Sequence, residues 1–101
     1  MKERETDLVR AALELLKLRG IPAWRNNTGA FAGIYKGKAR FVRFGAKGSP
    51  DILGVIPPDG RILAAEAKVG NRQPSDDQQA FLDSIRRAGG LAVVFRSLEE
   101  L

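Results

Sequence analysis

The sequence predicts a mixed α/β domain, with a central mixed β-sheet flanked by helices. Three observations predict it. Apolar residues recur at helical spacing between residues 3 and 19. Two short apolar runs, Asp51–Ile56 and Arg61–Lys68, flank the turn sequence Pro57-Pro58-Asp59-Gly60. A second helical pattern begins near Ser75, stops before Gly89-Gly90, and is followed by the apolar run Leu91–Phe95. Helix, strands, helix, strand is the order of a sheet covered by helices.

In the first helix, at about 100° per residue, Leu8, Val9, Ala12 and Leu16 fall within one narrow sector. Glu5 lies at the centre of that sector, whereas Glu3 and Glu14 point away. Gly20 and Pro22 end the helix, and Ala23 to Asn26 begins the sheet. The glycine-rich "NNTGAFAGIYKGKA" reads as a loop or irregular hairpin. "ARFVRF" alternates, so a half-buried strand would set Arg40 and Phe41 on opposite faces. In the second helix Phe81, Leu82, Ile85 and Ala88 share one face. Ser75 and Gln78 stand at capping-box spacing, and Ser97 is placed to cap a short terminal helix.

The 101 residues allow one domain, spanning 1–101. Cysteine and histidine are both absent, which excludes disulfides, thiolate metal sites, imidazole catalysis and the usual zinc chemistry. Any metal would be held mainly by oxygen, which favours magnesium, manganese or calcium. No apolar run approaches the roughly 20 residues of a membrane span. "MKERETDLVR" is too charged for a secretory signal, so the expectation is a protein that is neither secreted nor membrane-bound.

The net charge of +5 is uneven: no acidic residue lies between Glu14 and Asp51, while eight basic residues do. A one-signed segment of this kind suits a polyanionic partner, although a merely solubilising surface would look the same. Arg25, Lys36, Lys38, Arg40, Arg43 and Lys47 are the candidates for phosphate contact. Trp24, Phe31 and Tyr35 could stack on an unpaired base, or serve in packing.

Asp51, Glu66 and Lys68 occupy strands that are otherwise apolar. Positions two apart share a strand face, so Glu66 and Lys68 project together and Leu63, Ala65 and Ala67 oppose them. The Pro-Pro-Asp-Gly turn folds Asp51 level with Glu66 or Lys68, gathering two carboxylates and an amine at one edge of the sheet. Neighbouring carboxylates repel unless a cation joins them. A hard divalent ion could take oxygens from Asp51, Glu66, the Ala67 backbone carbonyl and water. Such an ion activates water and polarises a phosphoryl oxygen, chemistry that hydrolyses a phosphodiester without histidine. Taken singly, each residue has a plainer reading. Asp51 could be a turn residue, Glu66 and Lys68 a surface pair, Glu5 a helix-dipole charge, and Gln78 a cap.

Pro50-Asp51 followed by Glu66-Ala67-Lys68 resembles the PD-(D/E)XK nuclease signature. "ETDLVRAALELLKLRGIPAWRNNTGA", "GSPDI", "EAK" and "PSDDQQAFLDSIRRAGG" together resemble the VRR-NUC branch of that superfamily, in order and nearly end to end. The resemblance implies a restriction-endonuclease-like core of αβββαβ type and divalent-metal-dependent cleavage of DNA. It implies Asp51 and Glu66 as metal ligands, Lys68 as the catalytic lysine, and Glu5 as an acid holding metal directly or through water. Gln78, rather than Gln79, matches the family's glutamine. Arg25 and Asn26 lie in a recurring family segment and either support the site or touch the DNA backbone.

Mg2+ is the expected cofactor, with Mn2+ as a substitute, and no organic cofactor is expected. By the same analogy a stand-alone domain pairs as a homodimer on branched DNA, such as a four-way junction, in the cytoplasm of a bacterial or phage-infected cell. The rival readings are a non-catalytic nucleic-acid-binding module and a scaffolding protein with an acidic protein partner. Both leave the gathering of Glu5, Asp51, Glu66 and Lys68 unexplained.

Overall fold

The computed structural model describes residues 4–26, 29–35, 37–44 and 46–101, with only the backbone path described for 29–35 and 40–44. Its elements run α1 (Glu5–Leu18), β1 (Ala23–Arg25), β2 (Gly29–Tyr35), β3 (Lys38–Phe44), β4 (Ile52–Ile56), β5 (Arg61–Ala67), α2 (Asp76–Arg87) and β6 (Leu91–Phe95). A 3₁₀ turn at Leu98–Glu100 follows β6.

The main sheet has four strands in the order β1-β4-β5-β6. Its first three strands pair antiparallel, and β6 joins β5 in parallel after the α2 crossover. Strands β2 and β3 form a separate two-stranded antiparallel sheet between β1 and β4 in the chain. Without that insertion the order is αβββαβ, the mixed sheet flanked by helices that the sequence predicts.

The glycine-rich stretch expected as a loop or irregular hairpin is instead regular. Gly29 pairs with Phe44, and the ladder continues without a bulge to Tyr35 and Lys38. Cross-strand pairing outweighs the poor strand propensity of Gly29 and Gly33.

Each face of the main sheet carries one helix. Leu8, Val9, Ala12 and Leu16 of α1 pack on Ile52, Leu63, Ala65, Ala67 and Phe95. Glu5 and Asp7 in the first turn and Lys17 in the last suit the helix dipole, and Arg4 at the N-cap adds no side-chain bond. On the opposite face Leu82 of α2 covers Ala64 and Ala92, with Leu53, Ile85 and Val94 around them. Small alanines on β5 and β6 let this helix approach closely. Phe81 and Ile85 are half-buried as their spacing predicts, but Ala88 is exposed because it forms the C-cap.

The capping box at the start of α2 is present in full: Ser75 Oγ accepts from Gln78 N–H, and Gln78 Oε1 accepts from Ser75 N–H. Ser97 makes no such side-chain cap. The Glu100 carboxylate accepts the Arg96 N–H at 2.6 Å, just ahead of the turn. No helix among the described residues is long and apolar enough to cross a membrane.

Candidate active site

Alternation along β5 sends Leu63, Ala65 and Ala67 into the α1 core, and Ala64 into the α2 core. Glu66 and Lys68 therefore leave the strand on the α2 face. Register brings Asp51 to the same place. Ile52 pairs with Ala65 in the antiparallel β4–β5 ladder, so the next position sets Asp51 opposite Glu66. The Asp51 Oδ2 accepts the Ala67 N–H at 2.9 Å, which ties the carboxylate to the end of β5.

The gathering is at the end of an interior strand, not at an edge of the sheet. Strand β6 closes the outer side of β5, and the Lys68 N–H donates to Phe95 O beyond the last ladder pair. That difference governs the electrostatics. Glu66 and Lys68 are only 2% and 6% exposed, far less than a surface cross-strand pair would be.

Burial pushes the Glu66 carboxyl up to about 9 from an ordinary 4.5. A hydrogen bond and the negative charge of Asp51 push the same way, Lys68 opposes them, and the charge of Glu5 adds to the rise. Glu66 Oε2 is buried with no hydrogen-bond partner. A buried carboxylate oxygen left in this state is costly, and a cation is one remedy.

The segment before β4 is held from both sides. The Asn26 side-chain amide donates to Ser49 Oγ at 2.8 Å and to Pro50 O at 2.9 Å. Its backbone N–H donates to Asp51 O at 2.7 Å. Both amide protons are thus used within the protein, and Asn26 acts as a clamp on the Ser49-Pro50-Asp51 segment.

Gly48 meets α2 from the other side, where a Cβ would fall 2.3 Å from the Asp77 carbonyl oxygen. Lys47 pairs with the Asp77 carboxylate at 3.3 Å. The loop that delivers Asp51 is therefore docked on the first turn of α2, which also holds Gln78. Gln78 itself is half-buried, and its Oε1 is engaged in the cap.

Residues 3–99, nearly the whole chain, match the VRR-NUC domain family. The chain belongs to that family. It is a nuclease-type domain. No curated protein matches the sequence.

Within this VRR-NUC domain the fit to a hard cation rests on the carboxylate pair. Asp51 and Glu66 share one register position on one face, and Glu66 keeps a buried oxygen unsatisfied. Oxygen donors of this kind suit magnesium or manganese. Glu5 is half-buried on α1, and its Oε2 accepts from Arg72 at 2.6 Å. Among the described residues no three acidic side chains gather closely enough to form a metal cluster. Glu5 acts on Glu66 through its charge, across the end of the sheet.

The remaining sequence candidates are scattered. Trp24 and Arg25 are exposed on β1, an outer strand of the main sheet, and Lys38 is exposed at the start of β3. Lys36 and the side chains of Phe31, Tyr35, Arg40 and Arg43 lie outside the described residues.

Sequence reasoning passed over Arg72 and Arg96. Nothing in the sequence marks Arg72 as the partner of Glu5, because the contact joins residues 67 positions apart. Arg96 directly follows the last apolar strand and is half-buried, next to the end of β5.

Proposed function

We propose that this VRR-NUC domain is a divalent-metal-dependent endonuclease that hydrolyses DNA phosphodiester bonds, with branched DNA such as a four-way junction as its preferred substrate. The observation that carries the reading is the Asp51–Glu66 pair with its unsatisfied buried oxygen. Asp51, Glu66 and the Ala67 backbone carbonyl would hold a magnesium or manganese ion, with Glu5 adding negative charge nearby. When bound, the ion supplies water activation and polarisation of the phosphoryl oxygens.

The side chains have separable tasks. Asp51 and Glu66 collect negative charge at one point, and Asn26 and Gly48 keep Asp51 from drifting away from it. Lys68, on the same face as Glu66, brings an ammonium with little access to bulk water. Its charge is worth more there than at the surface, and it offsets the extra negative charge that the phosphate gathers as the bond breaks. Exposed Arg25, Lys38 and Lys47 would attract the DNA backbone without reading bases. A homodimer would double the basic face of this domain, which suits a branched substrate.

The test is cleavage of labelled four-way junction, flap, single-stranded and linear duplex DNA, each with magnesium, with manganese and with EDTA. Metal-dependent product, formed fastest on branched DNA, supports the whole reading. Equal rates on all substrates would remove the branch preference alone. Binding without product at any metal concentration would favour the non-catalytic module.

A further inference from the structure

The same end of the sheet carries a fourth charged group beside Asp51, Glu66 and Lys68, one that the catalytic reading leaves unused. In the parallel β5–β6 ladder Ala67 pairs with Phe95, so the next position sets Arg96 beside Lys68. Arg96 follows Phe95 directly and is half-buried, at the same end of the sheet as Lys68, whose N–H donates to Phe95 O. The Arg96 backbone is fixed by the hydrogen bond to Glu100.

Arg96 Nη1 is buried and has no hydrogen-bond partner among the described residues. Arg96 forms no ion pair among them either; the described pairs are Lys47–Asp77, Arg72–Glu5 and Arg86–Asp83. A guanidinium is permanently charged, and leaving one of its donors dry and unpaired is costly. Folded proteins rarely keep such a donor without a use for it.

We infer that Arg96 binds a phosphate of the DNA strand that lies across the Glu66–Lys68 end of the sheet. The inference rests on the nuclease reading above and adds a substrate contact to it. The planar fork of a guanidinium matches two oxygens of a phosphodiester, which the point charge of Lys68 does not. With Lys68 at the end of β5 and Arg96 at the end of β6, one cation can meet the reacting phosphate while the other holds the strand in line.

The experiment measures affinity for a labelled four-way junction, with calcium in place of magnesium, over a series of salt concentrations. Wild type, Arg96→Ala and Arg96→Lys are compared, and thermal melting of each free protein is recorded alongside. Arg96→Ala should bind roughly tenfold more weakly, and the slope of log affinity against log salt should shrink by about 0.9, the signature of one lost phosphate contact. Arg96→Lys should keep most of the slope, because the charge remains, while losing part of the affinity.

The melting temperature of Arg96→Ala should stay level or rise, since a buried donor without a partner has gone. Where Arg96→Ala fails to fold, Arg96→Gln takes its place with the same expected loss of slope. An unchanged slope with affinity falling only as melting temperature falls would mean that Arg96 is structural, and the inference fails while the nuclease reading stands. Wild-type protein without affinity for DNA would overturn both.

Discussion

Asp51 and Glu66 face each other across the β4–β5 ladder, one position past the Ile52–Ala65 pair, with the Asp51 carboxylate bound to the Ala67 N–H at 2.9 Å. Two acids in register, one of them buried, destabilise the fold when both are ionised, until a proton or a cation joins them. Four measurements follow from that relationship and from the contacts that enforce it.

Stability without metal should fall as pH rises. In the unfolded chain Glu66 ionises near its ordinary 4.5, whereas folding holds the proton up to about 9. Below the lower value both states carry the proton and the folded state keeps its full stability. Between the two values the unfolded state releases a proton that the folded state retains, so stability declines with rising pH. Melting in EDTA at pH 5 and pH 8.5 should show a drop of several degrees. Magnesium or manganese should recover most of it at the higher pH, as binding to the folded state alone requires. A flat or rising profile in EDTA would contradict the shared carboxylate site.

Glu66→Gln should separate stability from activity. The amide stays neutral without having to take up a proton on folding and can donate to Asp51, so the EDTA melting temperature at pH 8 should match or exceed wild type. Metal should then add little to it. Cleavage should fall by about two orders of magnitude or more, the loss typical of a displaced electrostatic group in an active site. A variant that cuts at the wild-type rate would remove Glu66 from the site.

Gly48→Ala should destabilise the fold by about 2 kcal/mol or more, read by chemical denaturation. Gly48 has φ +79°, and an added Cβ would lie 2.3 Å from the Asp77 carbonyl oxygen, a backbone atom that cannot swing away. The strain also pushes the Asp51 loop off α2, so cleavage should fall further than the stability loss alone explains. Normal stability would mean that this loop is not docked on the helix.

Lys68→Ala should reduce cleavage about 100-fold to 1000-fold while junction affinity changes only a few-fold. Lys68 is 6% exposed at the end of β5, placed to act on one phosphate and poorly placed to grip a long stretch of backbone. Single-turnover cleavage and equilibrium binding in calcium distinguish the two effects. Parallel losses in both would make Lys68 an anchor for DNA.

The elements were legible where local signals agreed with packing. Leu8, Val9, Ala12 and Leu16 share a helix face by spacing alone, and they are the α1 residues buried in the core. Ser75 and Gln78 make the capping box that their separation predicts. The β2–β3 stretch read less clearly because its glycines carry a loop signal, while its ladder depends on the partner strand. Glu5 shows the same limit at the site. Helix geometry put it on the inward face, but Arg72, remote in sequence, engages its carboxylate.

By itself the sequence determined the two long helices, the strands β4, β5 and β6 and their order, the absence of any histidine or cysteine chemistry, and the common face of Glu66 and Lys68. These follow from composition and from the two- and 3.6-residue periods, which act over a few residues. Only the tertiary structure decided that Asp51 stands opposite Glu66 in place of Lys68, that β6 turns β5 into an interior strand, and that Asn26 and Gly48 lock the loop between them. Register and burial belong to strands that meet across the fold, and no window of sequence contains both partners.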